Sequence, residues 1–380
     1  MVSERATVTT PFEAMDVLER ANELDDVVHL EVGEPDYPTP SVAVEAAIDS
    51  LRAGNTGYTP ARGKPALREA IAAYYDDRYG VSIDPYRILV TPGSSPGLLL
   101  AFLALLDPGD EAILTDPHYA CYPNFVRQAG GEISSVPLSS ERGFRPALDD
   151  FDDALGPETA AVLLNSPANP TGAVLPASTL SGLVDIAADT RTRLVVDEVY
   201  HGLSYDGRAA SVLEFTDEAF VLDGFSKRFS MTGWRLGWMV VPEGYVDPIN
   251  RLAQNLLICA PNFVQDAGVA ALGVADSHVP EMRETYRARR DFLVAAIDDL
   301  GLSLGYTPGG AYYLLVDVRE LGDAFDVATD LLEQAGVATT PGRDFGSGAA
   351  PYLRLSYATS LDDLEEAVDR LETFLQTARA

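Results

Sequence analysis

Asp223-Gly224-Phe225-Ser226-Lys227-Arg228-Phe229-Ser230-Met231-Thr232-Gly233-Trp234-Arg235-Leu236-Gly237 follows the apolar run Phe220-Val221-Leu222 and leads into a second apolar run ending at Val241. Its centre, Lys227, is one of two lysines in the chain, the other being Lys64, although Lys and Arg together number 27. Arginine has taken nearly every position where a plain positive charge suffices. Arginine keeps its proton in proteins and does not condense with an aldehyde, whereas a desolvated lysine loses its proton and condenses. A lysine retained between a strand-length apolar run and a Gly/Ser/Thr-rich turn is a candidate Schiff-base nucleophile. The count alone leaves an ordinary surface lysine equally open, so the surrounding chain must decide.

Outward from this stretch, apolar runs of strand length recur at 87–90, 111–114, 133–136, 160–164, 194–196, 220–222 and 236–241. Helical patterns at 96–106, 119–129, 147–155 and 176–189 separate several of them. Continuous apolar strands alternating with helices predict an α/β fold, a mostly parallel seven-stranded sheet flanked by helices. Ligands of such sheets bind beyond the strand C-terminal ends. The last two runs follow each other without a helix, so one of them is expected to run antiparallel. Toward the N-terminus the pattern predicts a helix over 11–24, a strand over 27–32 and a loop stiffened by Pro35 and Pro38. Toward the C-terminus, helices over 246–257, 262–273 and 279–300 precede an order of strand, strand, helix, strand, helix. The expected division is a large domain over 41–285 and a small α+β domain over 286–380, with the N-terminal segment 1–40 belonging to the small one.

The 380 residues carry a net charge of −31. Nucleic acid and anionic membranes would repel such a surface, so neither is expected as a partner. The acids are dispersed as pairs, such as Asp25-Asp26, Asp149-Asp150 and Asp362-Asp363, and not gathered in a tail. A dispersed negative coat with scarce lysine is what adaptation to high salt would give, since at about 1 M salt the screening length falls to roughly 3 Å. No apolar run is long enough to span a bilayer, and no basic-then-apolar leader pattern is present. Cys121 and Cys259 are isolated and the four histidines lie far apart, so no metal site and a reducing cytoplasm are expected.

Several short motifs sit at the predicted strand ends. Thr91-Pro92-Gly93-Ser94-Ser95-Pro96-Gly97 joins a strand to a helix start, where free amides and the Ser94 and Ser95 hydroxyls suit a phosphate. Gly93-x-Ser95-x-Gly97 also matches a serine-hydrolase elbow. That chemistry uses the N–H after the nucleophile, and Pro96 has none. Gly57 to Lys64 imitates a nucleotide-binding loop but has five residues between its glycines, and Pro65 replaces the magnesium-binding hydroxyl. Asp197 ends a buried strand as a carboxylate, which needs a cation or donors; a salt bridge or helix cap is the plain alternative to a protonated pyridine nitrogen. At about 4 Å and an effective dielectric near 20 such a pair is worth roughly 4 kcal/mol, or about three pK units. Asn165 to Gly172 forms a rigid turn whose Asn169 amide is placed to donate to an anionic oxygen.

Asn169-Pro170-Thr171-Gly172, Asp197-x-x-Tyr200, Ser226-Lys227 and Gly233-Trp234-Arg235-x-Gly237, in this order and spacing, resemble the fold-type I pyridoxal-phosphate aminotransferases of class I/II, the aspartate-aminotransferase-like group. Gly33-Glu34-Pro35-Asp36, Tyr58 with Gly63, Pro108-Gly109-Asp110 and Arg354-Leu355-Ser356 match as well, so the likeness runs from about residue 30 to 360. The resemblance implies a transaminase moving an amino group between an L-amino acid, aspartate or an aromatic or other 2-amino acid, and a 2-oxo acid. Pyridoxal 5'-phosphate would be held by Lys227 as an internal aldimine. It implies that Asp197 pairs with the pyridine nitrogen, that Asn169 and Tyr200 bond the phenolate oxygen, and that Tyr119 stacks on the ring. The phosphate would meet Ser94, Ser95 and Arg235, with Tyr58 contributed across a homodimer interface. Arg354 would clamp the substrate carboxylate, with Gly33 and Asn169 beside it. The sequence departs from similar proteins at Gly224, where some carry a phosphate-binding Ser, and at Asp223, where Asn is common. A β-lyase acting on C–S bonds stays open as the alternative on the same scaffold, because the shared parts only stabilise a carbanion. A non-catalytic cofactor sensor would need a basic DNA-binding module, which this acidic chain lacks.

Overall fold

A computed structural model describes residues 2–188 and 190–378. The strands Ile88–Thr91 (β2), Glu111–Asp116 (β3), Glu132–Pro137 (β4), Thr159–Asn165 (β5), Arg193–Asp197 (β6), Phe220–Gly224 (β7) and Gly237–Val240 (β8) form one sheet in the order β2-β8-β7-β6-β5-β3-β4; a short strand near the N-terminus, Val28–His29, is β1. β3 to β7 run parallel to one another, while β8 is antiparallel to both β2 and β7. β2, β7 and β8 are buried at every residue, because the helix Ser94–Leu105 and others cover both faces. β4, at the edge, has one buried residue and ends in Pro137, the place where a strand tolerates a missing N–H.

Most motifs of the sequence leave the carboxyl end of one of these strands. Ser94 and Ser95 follow β2, Tyr119 follows β3, Asn169 follows β5, Tyr200 follows β6 and Lys227 follows β7. β4 and β5 flank β3 on opposite sides, so the chain changes direction across the sheet there, where a crevice opens beyond the strand ends. Register sets Asn165 beside Asp197 at the ends of β5 and β6.

A second sheet has the order β11-β12-β9, from Tyr313–Asp317 (β9), Thr340–Pro341 (β11) and Tyr352–Ser356 (β12), all antiparallel. β1 pairs in parallel with Val337–Ala338 (β10), which ties the N-terminal segment to this second region. The core there is separate from the one under the large sheet and packs Leu314, Val316, Leu353 and Leu355 against Tyr286, Leu293 and Leu371. Among the described residues no helix is long and apolar enough to cross a membrane.

Three expected elements differ. The strand over 27–32 pairs only at Val28–His29, since after Leu30 the backbone turns toward the crevice. The helix over 119–129 begins at Tyr122, with Pro123 in its first turn, and Tyr119 is left before it with its ring on the cavity lining. The strand expected just after 302 is reduced to a single bridge between Ser303 and Asp317, because Gly301 and Gly305 both adopt φ of 70° on either side of it.

Candidate active site

The strand ends of the large sheet, the turn at Gly33 and strand β12 enclose a cavity of about 620 Å³. Lys227 enters it from the turn after β7, donating from Nζ to the carbonyl oxygen of Gly33 at 2.7 Å. Gly33 must be glycine, for an added Cβ would collide with the Tyr313 hydroxyl. The ring of Tyr200 lies 5.7 Å and that of Tyr312 5.9 Å from Nζ.

Asp197 forms the floor. Its Oδ2 accepts from the Tyr122 hydroxyl at 2.8 Å and its Oδ1 from the Val199 amide at 3.1 Å. Burial pushes its carboxyl up to about 6, against these two bonds and the charge of Lys227, which pull it down. A cationic group placed against Asp197 would hold it ionised. Tyr122 gives no signal in the sequence beyond its spacing of three from Tyr119; it reaches Asp197 only through the fold. Asn165 donates to the Asp197 carbonyl oxygen at 2.9 Å and accepts the Asn169 amide N–H at 2.7 Å, so the turn after β5 is clamped to the end of β6.

At the helix start after β2, Gly93 (φ 90°) caps the helix without a side-chain bond, leaving first-turn amides free. Arg235 has φ 54°, a conformation that costs a non-glycine residue about 1–3 kcal/mol and directs its guanidinium against Gly93. Gly237 has no room for a Cβ, which would stand 2.9 Å from the Ser94 nitrogen. Gly224 is similarly constrained, with a Cβ 3.2 Å from the Gly237 Cα, so close backbone approach accounts for that departure. Free amides, two hydroxyls and an arginine make a donor set suited to a phosphate.

Arg354, on β12, is 2% exposed. Its guanidinium donates to Asn169 Oδ1 at 3.0 Å, to Thr340 Oγ1 at 3.2 Å and to the Glu31 carbonyl, and it lies 4.5 Å from the Tyr313 ring centroid. Tyr313 also bonds the Tyr200 hydroxyl at 2.8 Å. Since Arg354 occupies the Asn169 carbonyl, the Asn169 NH2 remains available to donate. Lys227, Arg235 and Arg354 thus bond neutral oxygens only; among the described residues none of the three is in an ion pair. Such a set suits a phosphate, an aldehyde carbon and a carboxylate, as pyridoxal phosphate with an amino acid would bring. No cluster of side chains suited to a metal ion occurs among the described residues.

The cavity brings together the sequence-selected Gly33, Ser94, Ser95, Tyr119, Asn169, Asp197, Tyr200, Lys227, Arg235 and Arg354. Tyr58 stands apart, 84% exposed on its loop. Sequence reasoning missed Tyr122 and Tyr313, and also the wall formed by Phe12 and the helix Glu13–Ala21.

The family description "Aminotransferase class I and II" matches residues 25–371. A (5-formylfuran-3-yl)methyl phosphate transaminase of Methanocaldococcus jannaschii is 36% identical, covering 99% of this chain and 100% of the relative. An aspartate aminotransferase of Thermotoga maritima is 37% identical with the same coverage. The solved structure of aspartate aminotransferase from Thermus thermophilus with maleate superposes with a TM-score of 0.95 at 37% identity, over 98% of this chain and 99% of that one. The chain belongs to the class I and II aminotransferases. It is a pyridoxal-phosphate-dependent transaminase of the aspartate-aminotransferase fold. The relatives reported are transaminases by name, and the β-lyase alternative draws no support from them.

Proposed function

We propose that this cavity is the transamination centre and that its residues divide the work between cofactor and substrate. The observation that carries the reading is the meeting of three cations without acid partners around a buried carboxylate, in a chain of net charge −31. Pyridoxal phosphate, when bound, supplies an aldehyde that captures the amino group and a ring that accepts the electrons of the Cα–H bond. Lys227 Nζ would hold the aldehyde and, when free, would be the base that takes the proton from the substrate Cα. Asp197 would keep the ring nitrogen protonated, and Tyr122 and Val199 hold Asp197 oriented for it. Tyr200 and the Asn169 NH2 would be the donors for the phenolate oxygen, and Tyr119 would cover the ring and exclude water. Ser94, Ser95, Arg235 and the free amides after Gly93 would hold the phosphate. Arg354, with Asn169 and Gly33, binds the α-carboxylate of the amino acid or the 2-oxo acid. Borohydride reduction of the cofactor-loaded protein, followed by peptide mapping, should place a pyridoxyl group on Lys227. A tag confined to Lys64, or none, rejects the assignment.

Tyr58 is assigned to the phosphate of a partner subunit in a homodimer. Its support is exposure, together with Leu256 (55%) and Ile258 (52%), which are also apolar and solvent-facing. The hydrogen bond from Asn262 to Gly57 brings the Tyr58 loop to the start of the helix that follows these residues. Sedimentation at micromolar concentration should give twice the chain mass; a monomer rejects it. The units 41–285 and 286–380, with 1–40 joining the latter, are assigned as large and small domains on their separate cores. We further assign the enzyme to the cytoplasm, on its two free cysteines, and its acidic coat to high salt. The melting temperature should rise between about 0.1 and 1 M salt as the screening length shortens from about 10 to 3 Å; a flat response rejects the salt assignment.

A further inference from the structure

We infer that the amino donors of this enzyme carry apolar, uncharged side chains, and that dicarboxylic donors are disfavoured. The inference rests on the site assignment above and concerns the wall of the cavity that the assignment leaves unused. A substrate Cα bears, besides hydrogen, an amine, a carboxylate and a side chain. With the amine at Lys227 and the carboxylate at Arg354, the side chain meets the remaining wall. That wall is Phe12 with Ala14, Met15 and Leu18 of the helix Glu13–Ala21, where Leu18, four residues after Ala14 and three after Met15, brings the three to one side.

The wall is fixed in place. The Glu13 and Ala14 amides donate to Asp344 at 3.1 and 3.3 Å, and Arg343 pairs with Glu13 at 2.8 Å. The next residue, Phe345, lies with its ring 4.6 Å from the Arg354 guanidinium. At the other end the Phe12 ring meets Tyr119 edge-on, with centroids 5.7 Å apart. The apolar surface therefore runs from the carboxylate clamp to the ring-stacking tyrosine.

The cations lining the cavity, Lys227, Arg235 and Arg354, each already have a task. Apart from Asp197, the acid on the lining is Glu34, whose carboxylate the Thr232 hydroxyl engages. A distal carboxylate at this wall would lose water, find no donor from Phe12, Ala14, Met15 or Leu18, and face like charge at Glu34. A leucine, methionine or phenylalanine side chain would instead bury against matching surface.

The test uses the cofactor-loaded enzyme and follows the cofactor absorbance in half-reactions with single amino acids. The rate constants for leucine, methionine or phenylalanine should exceed those for aspartate, glutamate and arginine by about tenfold or more. Aspartate, glutamate or arginine reacting as fast as the best apolar donor overturns the inference; a cation supplied by a partner subunit would appear as that result. Met15→Arg should raise the aspartate-to-leucine ratio by about tenfold, and an unchanged ratio removes the wall from the substrate's path. Failure of every amino acid to react, or absence of a pyridoxyl tag on Lys227, rejects the site assignment itself and the inference with it. Reaction with the wrong class rejects the inference alone.

Discussion

Asp197 and Glu198 are adjacent, as are Lys227 and Arg228, yet the members of each pair serve different regions. Asp197 and Lys227 line the cavity, where among the described residues Lys227 forms no ion pair. Glu198 and Arg228, both fully buried, belong to a closed layer behind it. There Arg228 pairs with Asp223 and donates to Tyr74, Glu198 accepts from Ser211 at 3.0 Å and from the Val212 amide at 2.9 Å, and His201 meets Tyr79 at 2.9 Å. This also accounts for Asp at position 223, which supplies the counter-charge for Arg228. Charge satisfied inside the protein belongs to the fold, whereas charge left without a counter-ion in a cavity belongs to a ligand. A buried ion pair is weak evidence of net stability, but removing one partner is expensive.

Four substitutions sharpen or break this division. Asp197→Asn removes the cavity carboxylate, and losing about 4 kcal/mol of pairing with a ring nitrogen should lower kcat/KM about 10³-fold with little change in melting temperature. A large loss of stability instead would move Asp197 into the structural layer. Arg228→Met leaves Asp223 buried without its cation and should cost about 3–5 kcal/mol of unfolding free energy in a denaturant titration. A smaller cost would mean the rear layer is less closed than its geometry. Arg354→Lys keeps the charge but loses the planar fork, and should raise KM for both amino acid and oxo acid by about tenfold. An effect on one substrate only would contradict a shared carboxylate site.

The smallest effect is in pH dependence. Burial pushes the Glu198 carboxyl up to about 8, against bonds from Val212 and Ser211 that hold it down. With the folded value raised above the ordinary one near 4.5, its contribution to stability is present below about pH 4.5 and is lost as pH rises through about 8. Glu198→Gln should therefore flatten the fall in melting temperature of the cofactor-free protein across that window. Identical slopes for the two proteins would exclude Glu198 as the titrating group.

Much of the site was legible because its chemistry lies in short stretches. Lys227 stood out through the scarcity of lysine, Asp197 through a charge at the end of an apolar strand, and Ser94 and Ser95 through a glycine turn before a helix. Tyr122 and Tyr313 carried no such mark. Each looks like a core aromatic until the chain brings Tyr122 to a carboxylate 75 positions away and Tyr313 to a hydroxyl 113 away. Phe12 and the helix after it read as an ordinary amphipathic segment, and only its anchoring on Asp344 makes it part of the cavity.

The amino-acid order by itself determined the alternation of strands and helices, the chemistry available at each strand end and the net negative charge, because periodicity, turn residues and composition are local properties. Tertiary structure alone decided which charges meet a counter-charge. It seats β8 antiparallel between β2 and β7, brings Arg354 to Asn169 across 185 residues and leaves Lys227, Arg235 and Arg354 bonding neutral oxygens. The reason is physical: whether an ionisable side chain is spent on the fold or kept for a ligand depends on the groups packed around it. Those groups come from segments too far apart for any local pattern to record.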